Sequence, residues 1–274
     1  MAQPPIDSPH NSHIAAAHAL LSRKARQAAS AFLVEGPHAV GEALRSPDHR
    51  VREIFVTDPA ADRDPDLLTR AAAGGAAVRT VTDRALAALR DTVSPQGLIA
   101  VVEPSPTELS HVVKPETRLV VVLDGIADPG NAGTVIRSAD AAGAAAVITT
   151  PGSVDTWSGK CVRASAGSIF HLPVVGDVPP EAVFAAVATI PAIVLATAAD
   201  GADDLDDLVD SGALAAPTVW VFGNEAHGVS AAARRRADRI VRVPVYGAAE
   251  SLNLAAAAAI CLYASARAHR PPPI

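Results

Sequence analysis

Leu123-Asp-Gly-Ile-Ala-Asp-Pro-Gly-Asn-Ala-Gly-Thr-Val-Ile-Arg-Ser-Ala-Asp140 is the stretch on which the reading of this chain turns. The run that enters it, Leu119 to Leu123, is continuously apolar, the pattern of a strand buried on both faces. Asp128-Pro-Gly breaks the strand, and the spacing predicts a helix from about Ala132. An amide, Asn131, then stands at the loop and a guanidinium, Arg137, in the second turn of the helix. Both would face a crevice at the carboxyl end of a strand, where open α/β sheets hold their ligands. Taken singly, Asn131 suits a tight turn and Arg137 a surface ion pair. A nicotinamide-binding crossover is disfavoured. Gly130, Gly133 and Gly143 do not spell G-x-G-x-x-G, and no acidic residue ends the next strand in the expected place.

Outward from this stretch the alternation continues. Towards the C-terminus, strands are predicted at Leu119–Leu123, Ala146–Thr149, Ile193–Thr197, Thr218–Phe222 and Ile240–Val243. Helices fall between them, and an alanine-rich helix closes the chain from Asn253 to about Ala268. Such apolar strands belong to a parallel sheet covered on both faces. Towards the N-terminus a helix over Ser12–Ala29 carries Arg23, Lys24 and Arg26, which either form a solvated face or touch an anionic partner. Strands then follow at Phe32–Glu35, Val51–Thr57, Ala76–Val81 and Gly97–Val102. Helices are read at Pro37–Leu44, Pro65–Gly74 and Thr82–Asp91. This is a small α/β domain in its own right. Glu103-Pro-Ser-Pro106 is the best linker candidate. The domain reading is therefore a disordered 1–11, a first domain at 12–104, a linker at 105–114 and a second domain at 115–270.

The chain has 274 residues, 49% of them apolar, enough for two domains with sizeable cores. Only 3% are aromatic, which argues against an RNA surface built on base stacking. The net charge of −6 argues against a globally basic nucleic-acid binder. The charge is uneven, however: Asp200, Asp203, Asp204, Asp206, Asp207 and Asp210 crowd one short stretch, so RNA contact would be local. Two cysteines, Cys161 and Cys261, exclude a disulfide scaffold and lack zinc-site spacing, so no metal is expected. A cytoplasmic location is expected, with no secretion signal and no apolar run long enough to span a bilayer.

Two further segments share the grammar of strand, glycine turn and helix. Phe222-Gly-Asn-Glu-Ala-His-Gly228 follows an apolar strand, and Gly223 would suit a backbone approached closely by a ligand. Glu225 is either an exposed loop residue or the group that orients a basic or hydroxyl partner. His227 reads as a loop residue. Val243-Pro-Val-Tyr-Gly-Ala-Ala-Glu-Ser-Leu-Asn-Leu254 is the third segment, and Ser251 in it is a good helix N-cap.

In this order, the three segments resemble the signature motifs of the SpoU/TrmH class of RNA ribose 2'-O-methyltransferases, in the SPOUT superfamily. Ser158-Gly-Lys-Cys-Val-Arg-Ala-Ser-Ala-Gly-Ser168 is similar to another family segment. Phe32-Leu-Val-Glu-Gly-Pro-His-Ala-Val-Gly-Glu-Ala-Leu44 is similar to the domain that precedes many such catalytic domains, itself like the ribosomal L30e/L7Ae RNA binders. The resemblance covers the chain from about Ser12 to Arg267.

It implies an L30e-like RNA-binding domain followed by a SPOUT domain whose parallel sheet carries a deep trefoil knot, working as a homodimer in the cytoplasm. It also implies methyl transfer from S-adenosylmethionine, without a metal, to a ribose 2'-hydroxyl, most naturally in 23S ribosomal RNA. A transfer RNA enzyme of the same class and a catalytically silent RNA binder are the alternatives. By the same resemblance Asn131, Arg137, Glu225, Ser251 and Asn253 form the catalytic set. Thr197, Gly223, Val243 and Leu252 would hold the cofactor, and Lys160 and Arg163 would join Arg23, Lys24 and Arg26 as RNA contacts. Arg137 would act on the 2'-hydroxyl either as a base or, the account favoured energetically, as a charged stabiliser of the alkoxide.

Overall fold

The computed structural model describes residues 4–90, 96–104 and 106–270. They form two compact units, the first made of Met1–Pro106 with Trp157–His171 and the second of Thr107–Thr156 with Leu172–Ile274. The sequence calls at 1–3, 91–95 and Ser105, including the end of the Thr82–Asp91 helix and part of the linker, lie outside the described residues.

In the first unit the chain runs α1 (Ser12–Ala19), α2 (Arg23–Ala29), β1 (Phe32–Glu35), α3 (Pro37–Arg45) and β2 (His49–Val56). It continues through α4 (Asp58–Arg63), α5 (Pro65–Ala73), β3 (Ala77–Thr80), α6 (Asp83–Ala87) and β4 (Leu98–Pro104). The sheet order is β1-β4-β2-β3; β4 is antiparallel to both β1 and β2, while β2 and β3 run parallel. Ile14, Leu20, Phe55, Leu86 and Ile99 meet on one side of it, fully buried or nearly so.

Three expectations are corrected in the N-terminal part of this unit. The predicted helix Ser12–Ala29 is two helices, because the chain turns at Leu20-Leu21 and Ser22 caps the second by accepting from the Ala25 N–H. Arg26 is buried in that corner and donates to the Leu20 and Leu21 carbonyls at 2.8 and 2.9 Å. It closes α1 where the helix leaves carbonyls without partners, and so is not an RNA contact. The described part of the supposedly disordered N-terminus is docked: Ile6 bridges Val81, donating to Thr80 O and accepting from Thr82 N.

Trp157–His171, read from sequence as part of the second domain, is built into the first unit. It includes a short helix, α9 (Gly159–Ala164). The Trp157 ring lies 4.6 Å from that of Phe32, and His49 meets Trp157 and Phe170 edge-on at 5.9 and 5.1 Å. Burial pushes the His49 imidazole below its ordinary pKa against the opposing pull of Asp48. Glu42 accepts from Arg45 at 2.8 Å and sits 3.2 Å from the His171 ring nitrogen.

In the second unit α7 (Leu109–Val112) leads into β5 (Leu119–Asp124), α8 (Pro129–Ala141), β6 (Ala146–Thr149), β7 (Val174–Val175) and α10 (Pro180–Val187). Then come β8 (Ile193–Thr197), β9 (Asp203–Asp204), α11 (Leu205–Asp210), β10 (Thr218–Gly223), α12 (Ala231–Arg236), β11 (Arg239–Arg242) and α13 (Leu254–Ala268). The seven strands are parallel, in the order β7-β6-β5-β10-β8-β11-β9. Every residue of the central pair β5 and β10 is buried, as the apolar runs require. Ser265 of α13 accepts from the Trp220 indole at 2.8 Å and the Thr218 hydroxyl at 3.1 Å, so the buried polar atoms under α13 are satisfied. Because the strands are parallel, Asp124, Thr197, Gly223 and Arg242 all end on one edge of the sheet, and the loops that follow them build the site.

Candidate active site

The first loop leaves β5 at Asp124 and enters α8 three residues earlier than the sequence suggested. Asp128 caps that helix by accepting from the Asn131 N–H at 2.8 Å, with Pro129 at its first position. Asn131 thus sits in the first turn rather than the loop, and its side chain is free to reach outward. Its amide nitrogen donates to Glu225 Oε1 at 3.0 Å, and its amide oxygen accepts from Asn253 Nδ2 at 3.1 Å. Asn253 Oδ1 in turn accepts from the Ala255 and Ala256 N–H groups at the start of α13. Each atom in this chain has its role dictated by the next, because a carboxylate can only accept and a helix N-terminus can only donate. One residue from each of the three motifs is thereby joined in a single hydrogen-bonded line.

Glu225 does more than hold Asn131. Its two oxygens also accept from the Ala127 and Asp128 N–H groups at 3.2 and 3.3 Å. Burial pushes its carboxyl up, but the Asn131 amide and the backbone N–H groups of Glu225, Ala127 and Asp128 outweigh it. The pKa lies below the ordinary 4.5. A group so depressed gives its full contribution above 4.5 and loses it as pH falls through the lowered value. Order in the 125–128 turn that depends on Glu225 should therefore persist through neutral pH. Glu225→Gln puts an amide among donors, and a loss of methyl transfer on the order of tenfold is expected at neutral pH, as for one charge-assisted hydrogen bond. A single-turnover rate equal to that of the wild type would remove Glu225 from the site.

Arg137 lies six residues beyond Asn131 on α8, a rise of about 9 Å. It is exposed, and among the described residues it makes no hydrogen bond or ion pair. Glu225 does not hold this guanidinium, contrary to one of the roles expected for it, and reaches the third motif only through Asn131.

The second loop is shaped by its own backbone. A Cβ on Gly223 would stand 2.1 Å from Val229 N and 2.2 Å from Gly228 C, so the returning chain by itself already requires glycine there. Asn224 pairs with Gly228 through both backbone groups, and its side chain donates to Gly125 O at 2.8 Å. His227 contributes its N–H to Asn224 Oδ1, consistent with a loop role.

In the third segment the helix cap is Asn253 and not Ser251, which is exposed and makes no hydrogen bond among the described residues. Val243 is half-buried just past β11, Leu252 is 37% exposed, and Thr197 donates to Val221 O at the end of β8. Residues 243–252 form no helix or strand, and among the described residues their backbone N–H and C=O groups have no backbone partner. Such uncommitted donors and acceptors at the carboxyl edge are open to a ligand. The RNA candidates Lys160 and Arg163 lie on α9 in the first unit, and Arg23 and Lys24 on α2.

Residues 118–263 match the SpoU rRNA Methylase family, and residues 33–108 match the RNA 2'-O ribose methyltransferase substrate-binding family. The chain is 38% identical to the 23S rRNA (guanosine(2553)-2'-O)-methyltransferase RlmP of Bacillus subtilis, over 94% of this chain and 97% of that one. An AdoMet-bound rRNA methyltransferase from Sinorhizobium meliloti superposes with a TM-score of 0.85 at 28% identity, over 98% of this chain and 99% of the other. The SpoU methyltransferase AviRb from Streptomyces viridochromogenes, in complex with AdoMet, gives 0.83 at 32% identity, over 94% and 98%.

Proposed function

This chain belongs to the SpoU rRNA methylase family of RNA 2'-O-methyltransferases, and on that premise we propose that it methylates a ribose 2'-hydroxyl of 23S ribosomal RNA. The observation that carries the reading is the hydrogen-bonded line Glu225–Asn131–Asn253, which gathers three motifs at the first turn of the helix that bears Arg137, itself without a hydrogen bond or ion pair among the described residues. The family's cofactor, S-adenosylmethionine, presents its methyl group on a cationic sulfur, which makes that carbon electrophilic. Thr197, Val243, Leu252 and the open backbone of 243–252 would hold it at the edge of the sheet.

The ribose hydroxyl is a poor nucleophile until its proton leaves. A guanidinium, with a pKa above about 12, is a weak candidate to take that proton. Among the described residues no group takes up the donors of Arg137, so we assign it to the charge that develops on the 2'-oxygen as the proton passes to water. Asn131 and Glu225 fix the turn from which α8 starts, and with it the direction of Arg137. Ser251 would take part only if the exposed 243–252 stretch closes on the cofactor.

A homodimer and a deep trefoil knot belong to the same proposal, as does a cytoplasmic location. Support for a second copy comes from α11 and α13, where Leu205, Val209, Ile260 and Tyr263 line a groove of about 560 Å³. Ile260 and Tyr263 stand exposed there, at 44 and 66%, an apolar pair that a second copy could cover. Among the described residues no helix is long and apolar enough to cross a membrane.

The test is calorimetry on the purified chain, with mapping of ribose methylation in RNA from cells with and without the gene. Binding of S-adenosylmethionine or S-adenosylhomocysteine without affinity for NAD is expected, together with one 23S site that depends on the gene. NAD binding with no response to either adenosyl ligand would overturn the activity. A gene-dependent site found in transfer RNA instead would move the substrate.

A further inference from the structure

Asp124, the last residue of β5, is a buried carboxylate that the site described above leaves without a task. It is 7% exposed, and among the described residues no cation pairs with it. A charge in that position is costly unless donors surround it. Two do: the Thr150 hydroxyl donates to Oδ1 at 3.0 Å, and the Ser230 N–H donates to Oδ2 at 2.7 Å. Neither donor is there by local sequence, since they lie 26 and 106 positions away.

Their places in the site matter more than their number. Ser230 is where the second loop ends and α12 begins, its own hydroxyl accepting from Ala233 N. Thr150 follows β6 and also accepts from the Gly125 N–H at 3.1 Å, the first peptide of the motif-1 turn. Asn224, at the other end of the second loop, donates to Gly125 O at 2.8 Å. Both ends of the loop that carries Glu225 are therefore tied to residues 124 and 125, one end through Asn224 and the other through the Asp124 carboxylate. Between these ties Glu225 delivers its oxygens to Ala127, Asp128 and Asn131.

We propose that Asp124 is a positioning residue for methyl transfer: its carboxylate pins the exit of the second loop to the start of the first, and so sets where Glu225 meets Asn131. This rests on the methyl-transfer reading given above. Asp124 touches neither cofactor nor RNA in this account. Its effect falls on the alignment of reacting groups, where a misplacement of about 1 Å can cost on the order of a hundredfold in rate.

The experiment is single-turnover methylation with the full chain at saturating cofactor and RNA, comparing wild type, Asp124→Asn, Glu225→Gln and the double variant. Asp124→Asn keeps the shape but removes the charge and turns one end into a donor, which either opposes the Ser230 N–H or forces the Thr150 hydroxyl to accept from it as well as from Gly125. A rate loss of about tenfold or more is expected, with affinities for cofactor and RNA within about twofold of wild type. The double variant should lose little more than the worse single one, because both changes act through one contact. Thr150→Val should show a several-fold loss of the same kind and carries the test if Asp124→Asn does not fold. Thr150→Ser, which restores the hydroxyl, should restore the rate. A melting temperature that falls while the rate per folded molecule stays at the wild-type value would overturn the assignment, as would losses that multiply in the double variant. Absence of methyl transfer in the wild type would instead fault the activity on which the proposal rests.

Discussion

Arg137→Ala is expected to lower the single-turnover rate of methyl transfer by on the order of a hundredfold or more, the usual cost of removing a donor aimed at developing charge. The fold and cofactor affinity should stay near wild type. Arg137 is exposed and, among the described residues, makes no hydrogen bond or ion pair, so its truncation leaves no buried group unsatisfied. The helix beneath it is held by other residues: Ala132, Val135, Ile136 and Ala139 are fully buried. Arg137→Lys keeps the charge and loses the planar fork, so residual activity in it would favour stabilisation of the alkoxide over proton removal. Calorimetry and single-turnover rates with saturating cofactor and RNA make the measurement. An Arg137→Ala enzyme within a few-fold of wild type would sink the assignment.

Removing the first 114 residues should cost the protein its solubility, and not only its RNA. The sequence alone suggests that a shortened chain starting near Pro115 still dimerises and binds cofactor but loses most methylation of its RNA. The structure changes that expectation, because Trp157–His171 belongs to the unit that would be removed. Cys161, Val162, Ile169 and Phe170 are between 0 and 4% exposed. Phe32, which packs on Trp157 and Phe170, would be gone. Each large apolar side chain returned to water forfeits roughly 1.5–3 kcal/mol, and a domain has only about 5–15 kcal/mol in total. Aggregation or loss of a cooperative melt is therefore expected from the shortened chain. Replacing residues 157–171 in it by a short Gly/Ser linker should recover a folded sheet that binds S-adenosylmethionine. A shortened chain that melts cooperatively near the wild-type temperature with 157–171 intact would show that the segment needs no seat.

Much of the second unit was legible because its physics is local. Strands buried on both faces must be apolar throughout, and Ala146–Thr149 and Ile193–Thr197 were bounded by that signal alone. The strands β7 and β9, two residues each, were invisible to it: they exist because a neighbouring strand offers partners, and two residues carry no period. The short helix α4 leaves no period for a related reason, six residues with Pro59 in the first turn that could equally be a loop. Asn131, Glu225 and Asn253 were singled out through their motifs, and the structure brings these three into contact. Asp124 and Asn224 were passed over, since a carboxylate at a strand end and an asparagine between glycines both read as turn chemistry.

What the chain's own order of residues determined, then, was the two α/β series, the parallel sheet and the family motifs. Each follows from neighbours within a few positions, where periodicity and turn chemistry act. Only the tertiary structure decided between Ser251 and Asn253 as the cap of α13, for either side chain can accept from a helix N-terminus. It alone turned Arg26 inward, because the carbonyls it satisfies are exposed by a corner and not by a pattern. It also gave Gly223 its reason, a backbone returning through Gly228 and Val229. The placement of 157–171 is the clearest case: the Ala166 carbonyl meets His38 from 128 positions away, and His171 meets Glu42 from 129. No local preference encodes a contact of that span. It is selected when the whole chain packs, by the apolar surface that Phe32 and His49 would otherwise leave to water.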